Sequence, residues 1–210
     1  MRKDEARTTT TTSVRGEATR RRLIERGRVA FAELGHDGVS LHRDVLGPAG
    51  VSNGSFYHQF TDKTDLLLAV LEDAEGAGRF VLADAAEPTP DAGPVALVRR
   101  AFETWFQLVD GAEDLFRIQL RERSNTDPRV QAAVEAVRER WVDTVATQLR
   151  RARTDLDAGQ AARVLSSLTS GLLLDYLATD PADRATFRAE RLETVPAFVV
   201  AGLDGLADRD

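Results

Sequence analysis

Residues 50–52, Gly-Val-Ser, stand between two apolar stretches, 41–46 and 53–60, each too short to be a stable helix by itself. Segments of that length hold their shape only when a third helix packs across both. Gly50 is the residue that can adopt a left-handed conformation, Val51 can plug the turn into a core, and Ser52 can cap the helix that follows. Two short helices joined by a glycine-containing turn of this length form a helix-turn-helix. The first of them is expected to start after Ser40 as its N-cap and to run through Leu41, Val45 and Leu46. Gly47-Pro48 is expected to end it, because proline has no N–H for the helical ladder.

The second short helix runs from about Asn53 to Gln59. Phe56 and Phe60 lie four residues apart and should be its buried anchors, leaving Asn53, Ser55, Tyr57 and His58 around the outer side. Those four offer donors, acceptors and rings of the kind that meet base edges and backbone in a DNA major groove. Downstream, Asp62 reads as the N-cap of a fourth helix with Asp65 three residues on. Lys63 then falls in the first turn, where a cation opposes the helix dipole. A bound phosphate would satisfy both the ammonium and the free amides of that turn, while a solvated lysine is the plainer alternative.

Upstream, a helix is expected over Glu17 to Leu34, with Leu23, Gly27, Ala30, Phe31 and Leu34 on one face and Gly35 as its stop. Its other face carries Arg20, Arg21, Arg22, Arg26 and Arg28, a solvated row from which Arg20 to Arg22 could reach phosphates. Residues 1–15 are polar, include five consecutive threonines, and read as a disordered arm. The net charge of −6 is unevenly distributed: residues 1–63 sum to +3 and residues 64–210 to −9. A small basic module beside a larger acidic one suits a protein whose first part meets a polyanion.

The chain has no cysteine, and its histidines, His36, His42 and His58, are scattered, so disulfides, thiolate sites and metal chemistry are not expected. Arginine outnumbers lysine 26 to 2, which fits a GC-rich coding bias. The 42% hydrophobic content is enough for a core, yet no run approaches a membrane span and the N-terminus has no apolar signal region. A cytoplasmic protein without a membrane partner or a cofactor is expected.

Beyond residue 63 the pattern is helical throughout. The fourth helix continues toward Gly76 and Gly78, a soft point that could be a kink or simply a helix end, and further helices are expected at about 93–109, 112–124, 128–153, 158–178 and 182–206. Phe102, Trp105 and Phe106 share one segment and Trp141 lies in the long middle helix. Aromatic residues at such spacing form either core or a pocket wall. Gln119 and Glu122 fall on the face of Leu115 and Ile118, which marks either the edge of the apolar stripe or polar groups that orient a ligand. The last two helices have wide apolar faces, with Ser166, Ser167, Ser170 and Gly171 permitting close approach. Pattern alone leaves open whether those faces cover their own domain or a partner.

The segments "AGVSNGSFYHQF", "FTDKTDLL" and "FAELGHDGVS" together resemble the DNA-binding domain of the TetR family of one-component transcriptional repressors, over about residues 17–72. The resemblance implies that Ser55, Tyr57 and His58 contact DNA, with Ser52 and Asn53 beside them, that Lys63 holds a phosphate, and that Ser40 lies near the backbone. Asn53 takes a position where the family often has lysine; it can still read adenine but adds no charge. Leu46 and Pro48 depart from the family pattern, leucine repacking the two short helices and proline shortening the first. The resemblance also implies that the last two helices pair with their copies in a second subunit.

The expected architecture is therefore all-α: an N-terminal arm (1–15), a three-helix DNA-binding domain (16–63), and a helical ligand-binding and dimerisation domain (64–210). The expected function is a homodimeric, ligand-responsive repressor on a palindromic operator. Its effector would be a small molecule held among Phe102, Trp105, Phe106, Gln119, Glu122 and Trp141. Two rivals are a DNA-binding regulator controlled by a protein partner and, more remotely, an all-helical enzyme; no nucleophile-base constellation or phosphate loop favours catalysis.

Overall fold

The computed structural model describes the backbone over residues 3–73, 93–152 and 155–207, and side chains over 15–73, 93–152 and 155–206. Every regular element among these residues is helical. Helix α1 spans Lys3–Gly38 and α2 comprises a π-helical turn, Leu41–Leu46, running directly into Gly47–Ala49. Helix α3 is Asn53–Tyr57, and α4 covers 63–73. Helices α5 (Pro94–Gly111), α6 (Glu113–Glu122), α7 (Pro128–Ala152), α8 (Ala158–Ala178) and α9 (Arg184–Ala207) follow. The expected helices from residue 93 onward are all present within two residues of their predicted ends. The soft point at Gly76 and Gly78 lies outside the described residues.

Packing divides the chain into two compact units, residues 1–74 with 114–134, and 75–113 with 135–210. In the first unit, α1 begins at Lys3 rather than at Glu17, because extending an already nucleated helix adds one hydrogen bond per residue without repeating the nucleation cost. The helix breaks at Gly35, whose φ of 70° and ψ of 167° belong to a region that only glycine occupies readily. Leu34, expected on the buried face, is 42% exposed: the covered stripe ends with Ala30, Phe31 and Ala32, short of the break. Gly27 lets α1 approach α4 closely, since a Cβ there would lie 3.1 Å from Leu66 Cδ2.

Gly47-Pro48 does not end α2, contrary to the sequence reading. The ladder widens instead: Gly47 N–H donates five residues back to the His42 carbonyl, and Val51 N–H does the same to Leu46 at 3.0 Å. This change of register absorbs a residue that has no N–H, so the helix runs through Pro48 to Ala49 and stops at Gly50. Leu46 is fully packed at 2% exposure.

In the second unit α5 and α8 both pack on α9. Phe106 is at its centre, with ring centroids 5.0 Å from Tyr176 and 4.9 Å from Trp105, in edge-on arrangements. A separate small-residue seam joins α7 to α8 through Val142, Ala146, Ala158 and Ala162.

Candidate nucleic-acid interface

Gly50 takes φ 61° and ψ 38°, the left-handed conformation its position requires, and Val51 is buried beneath the turn. Ser52 then caps α3, its Oγ accepting the Ser55 N–H at 3.2 Å. The same Oγ lies 3.0 Å from the Ser55 hydroxyl, so those two side chains hold each other at the start of the helix. Phe56 is fully buried and Phe60 almost so, with their rings 5.7 Å apart. With that side anchored, Asn53, Ser55, Tyr57 and His58 are all exposed, Tyr57 at 62%. The predicted anchors and the predicted outward groups therefore occupy opposite sides of α3.

Ser40 has extended N-cap geometry, but its side chain makes no capping bond, which corrects the expected role. Its own N–H donates instead to Asp44 Oδ2 at 2.8 Å, the acidic residue reaching back from the first turn. Arg43 holds Asp44 through two hydrogen bonds, at 2.7 and 2.9 Å. The Arg43 contact, foremost, and the Ser40 N–H keep the Asp44 carboxyl below the usual carboxylate range.

The start of α4 is a two-way cap. Asp62 Oδ1 accepts the Asp65 N–H at 2.7 Å and Asp65 Oδ2 accepts the Thr61 N–H at 2.9 Å. The hydrogen bond from the Asp65 N–H, with Arg129 adding to it, holds the Asp62 carboxyl below the usual carboxylate range. Lys63 is neither freely solvated nor unpartnered: it is partly buried, and its Nζ donates to the Val39 carbonyl at 3.1 Å. An ammonium has three N–H groups, so this contact fixes the side chain across the mouth of the α1–α2 corner and leaves donors over.

The arginine row of α1 is not uniform. Arg28 forms a bidentate pair with Asp114. Arg20, partly buried, and Arg22, exposed, lie 3.5 Å from the Gln59 and Ala49 carbonyls, and Arg21 and Arg26 are exposed. The sequence reading missed these internal contacts, as it missed Asp44. The one local signal was Asp44 itself, at capping distance from Ser40.

Among the residues singled out for a ligand, Phe102, Trp105 and Phe106 are buried and Trp141 is partly buried, all within the second unit. Gln119 and Glu122 belong to the first unit. Glu122 is buried, and both of its oxygens are engaged: Oε1 accepts the His36 N–H at 2.7 Å and Oε2 accepts Asn125 Nδ2 at 2.5 Å. It thus caps the turn that the Gly35 break leaves open.

A short aromatic helix seated on its neighbours, with its polar side outward, places this chain in the class of helix-turn-helix proteins. The family model for bacterial regulatory proteins of the tetR family matches residues 23–70, and that for the tetracyclin repressor-like C-terminal domain matches residues 88–206, more than half of the chain. The chain belongs to the TetR family. An uncharacterised HTH-type transcriptional regulator of Haemophilus influenzae is 30% identical over 138 residues, 64% of this chain and 64% of that protein, a little under two thirds of its length. Among solved structures, a putative transcriptional regulator from Pseudomonas aeruginosa has a TM-score of 0.73 at 23% identity, covering 92% of this chain and 93% of that one. Salmonella enterica GusR has a TM-score of 0.69 at 21% identity, covering 89% and 96%. The fatty acid degradation regulator FadR of Bacillus halodurans has a TM-score of 0.71 at 16% identity, covering 88% and 96%. At these identities the likeness is one of fold.

Proposed function

We propose that this protein is a DNA-binding transcriptional regulator that acts as a homodimer on a palindromic operator, reading it through α3. The observation that carries the reading is the sidedness of α3: Phe56 and Phe60 are buried while Asn53, Ser55, Tyr57 and His58 face solvent. In this reading Lys63, whose Nζ donates to the Val39 carbonyl, adds a phosphate contact with a remaining N–H, and Ser40 and Ser52 add contacts to the DNA backbone. Repression is the mode that the family resemblance implies.

Support for a dimer comes from apolar exposure on the last two helices: Val164 and Leu174 on α8 and Phe198 on α9, the last at 72%. A small-molecule effector in the second unit, among Phe102, Trp105, Phe106 and Trp141, would shift the separation of the two α3 helices. Coupling of about 1–3 kcal/mol between sites would change operator affinity roughly 5- to 150-fold. Gln119 belongs to the first unit and is left out of this set, and Glu122 is already committed to His36 and Asn125.

Selection of bound sequences from random duplexes with the full chain tests the proposal directly. The expected outcome is an enriched palindrome whose binding weakens steeply with salt. Tyr57→Ala and Lys63→Ala should each weaken binding to it by roughly tenfold, in line with about 1–3 kcal/mol for a lost specific contact. Parent-like affinity in both variants would remove the contact assignment, and no enriched sequence at all would remove the function.

A further inference from the structure

We propose that Arg20 is a positioning residue for the recognition helix, acting through Phe60, and not a phosphate contact. The inference rests on the DNA-binding reading above and names what sets the angle of α3. Arg20 is partly buried on α1, with Cζ 4.6 Å from the centre of the Phe60 ring and Nη1 3.5 Å from the Gln59 carbonyl. Both contacts fall on the two residues that close the chain behind α3. Phe60 in turn lies 5.7 Å from Phe56, and Phe56 lies 5.2 Å, edge-on, from Tyr57. An unbroken series of contacts therefore runs from a guanidinium on α1 to the exposed ring on the outer side of α3.

Three features separate this role from a surface charge. The guanidinium carbon lies over a ring that is almost fully buried, so the attraction is less screened than at an open site. One of its five N–H groups is directed at a protein carbonyl, 3.5 Å away, on the residue next to that ring. Arg22, although exposed and with no ring beneath it among the described residues, makes the same kind of carbonyl contact at the end of α2, where its Nη1 lies 3.5 Å from the Ala49 oxygen, so a side chain of α1 reaches the exit of each short helix. Neither α2 nor α3 is long enough to fix its own direction, which is why an outside group can set it. Lysine cannot substitute, because it lacks the planar fork that meets ring and carbonyl together.

The test uses the full chain with Arg20→Lys and Arg20→Gln, each compared with the parent in three measurements. These are the melting temperature, amide hydrogen exchange across α3 in the free protein, and affinity for the selected operator and for an unrelated duplex over a salt series. Both variants should melt well above the assay temperature, exchange faster at the His58 to Phe60 amides, and lose roughly three- to tenfold in operator affinity. Binding to the unrelated duplex should be nearly unchanged, so discrimination narrows while the salt slope stays that of the parent. If Arg20→Lys binds as the parent does and Arg20→Gln loses about 0.9 of salt slope for each contact removed, Arg20 touches phosphate and the proposal fails. Parent-like exchange in both variants overturns it as well. Should the parent bind no duplex, the functional reading falls, and the exchange measurement still decides whether Arg20 orders α3.

Discussion

Gly35 does two jobs that no other residue could combine. Its backbone conformation breaks α1, and the turn it makes presents the His36 N–H to Glu122. A Cβ at Gly35 would meet Glu122 Oε1 at 3.6 Å, ordinary contact, so space is not the obstacle; the dihedral angles are. Gly35→Ala should therefore cost about 1–3 kcal/mol of stability, read as a lower midpoint in urea denaturation with an unchanged slope. Glu122→Gln tests the partner from the other side. The amide retains one acceptor for His36 but turns a donor toward Asn125 Nδ2, leaving two donors opposed in a buried place, at a cost of about 1–3 kcal/mol in the same assay. A loss below about 0.5 kcal/mol would show that Glu122 does not close the turn.

Among elements, the junction of α5, α8 and α9 joins the buried Tyr176 to a set of charged side chains at its edge. The Tyr176 hydroxyl donates to Asp110 Oδ1 at 2.6 Å, Arg188 holds the other oxygen of Asp110 at 3.2 Å, and Arg184 pairs with Glu113 at 2.6 and 3.1 Å. Burial foremost, and then the bond to Asp110, pushes the Tyr176 phenol up to about 12 from 10.0. A group whose native pKa is raised binds its proton more tightly when folded. Its contribution is complete below pH 10 and is lost as pH climbs toward 12. Two pKa units correspond to about 2–3 kcal/mol. Denaturation midpoints should thus fall between pH 10 and 12, and Tyr176→Phe should flatten that limb while costing about 1–2 kcal/mol at neutral pH for the missing hydrogen bond. An unchanged alkaline limb in the variant would assign the loss to other groups.

At the scale of the whole molecule, the proposed operator reading needs two copies of α3. A homodimer should present half-sites about 34–36 Å apart, or a multiple of that, so the selected palindrome should have a centre-to-centre spacing near 10 base pairs or a multiple. Phe198 is the most exposed large apolar side chain among the described residues. Phe198→Glu puts a charge on the surface proposed to be shared. It should convert the dimer to monomer in sedimentation velocity, and duplex affinity should fall at least tenfold as the second half-site is lost. A variant that stays dimeric would place the interface elsewhere.

What the sequence determined by itself is short in range. The turn at Gly50, the cap at Ser52, the buried pair Phe56 and Phe60, the outward Tyr57 and the stop at Gly35 all follow from residues within four positions of one another, where helical geometry alone decides which side chains meet. The tertiary structure decided what depends on distant partners. Glu122 closes a turn 86 residues away, Arg28 meets Asp114 across the same separation, and Arg20 lies on a ring 40 positions downstream. Pro48 belongs with these: the sequence showed that a hydrogen bond would be missing, but only packing around Leu46 and Val51 selected a widened turn over a broken helix. Local spacing fixes which residues share a face; which distant group reaches that face is chosen by the packed core, and no pattern of nearby residues encodes it.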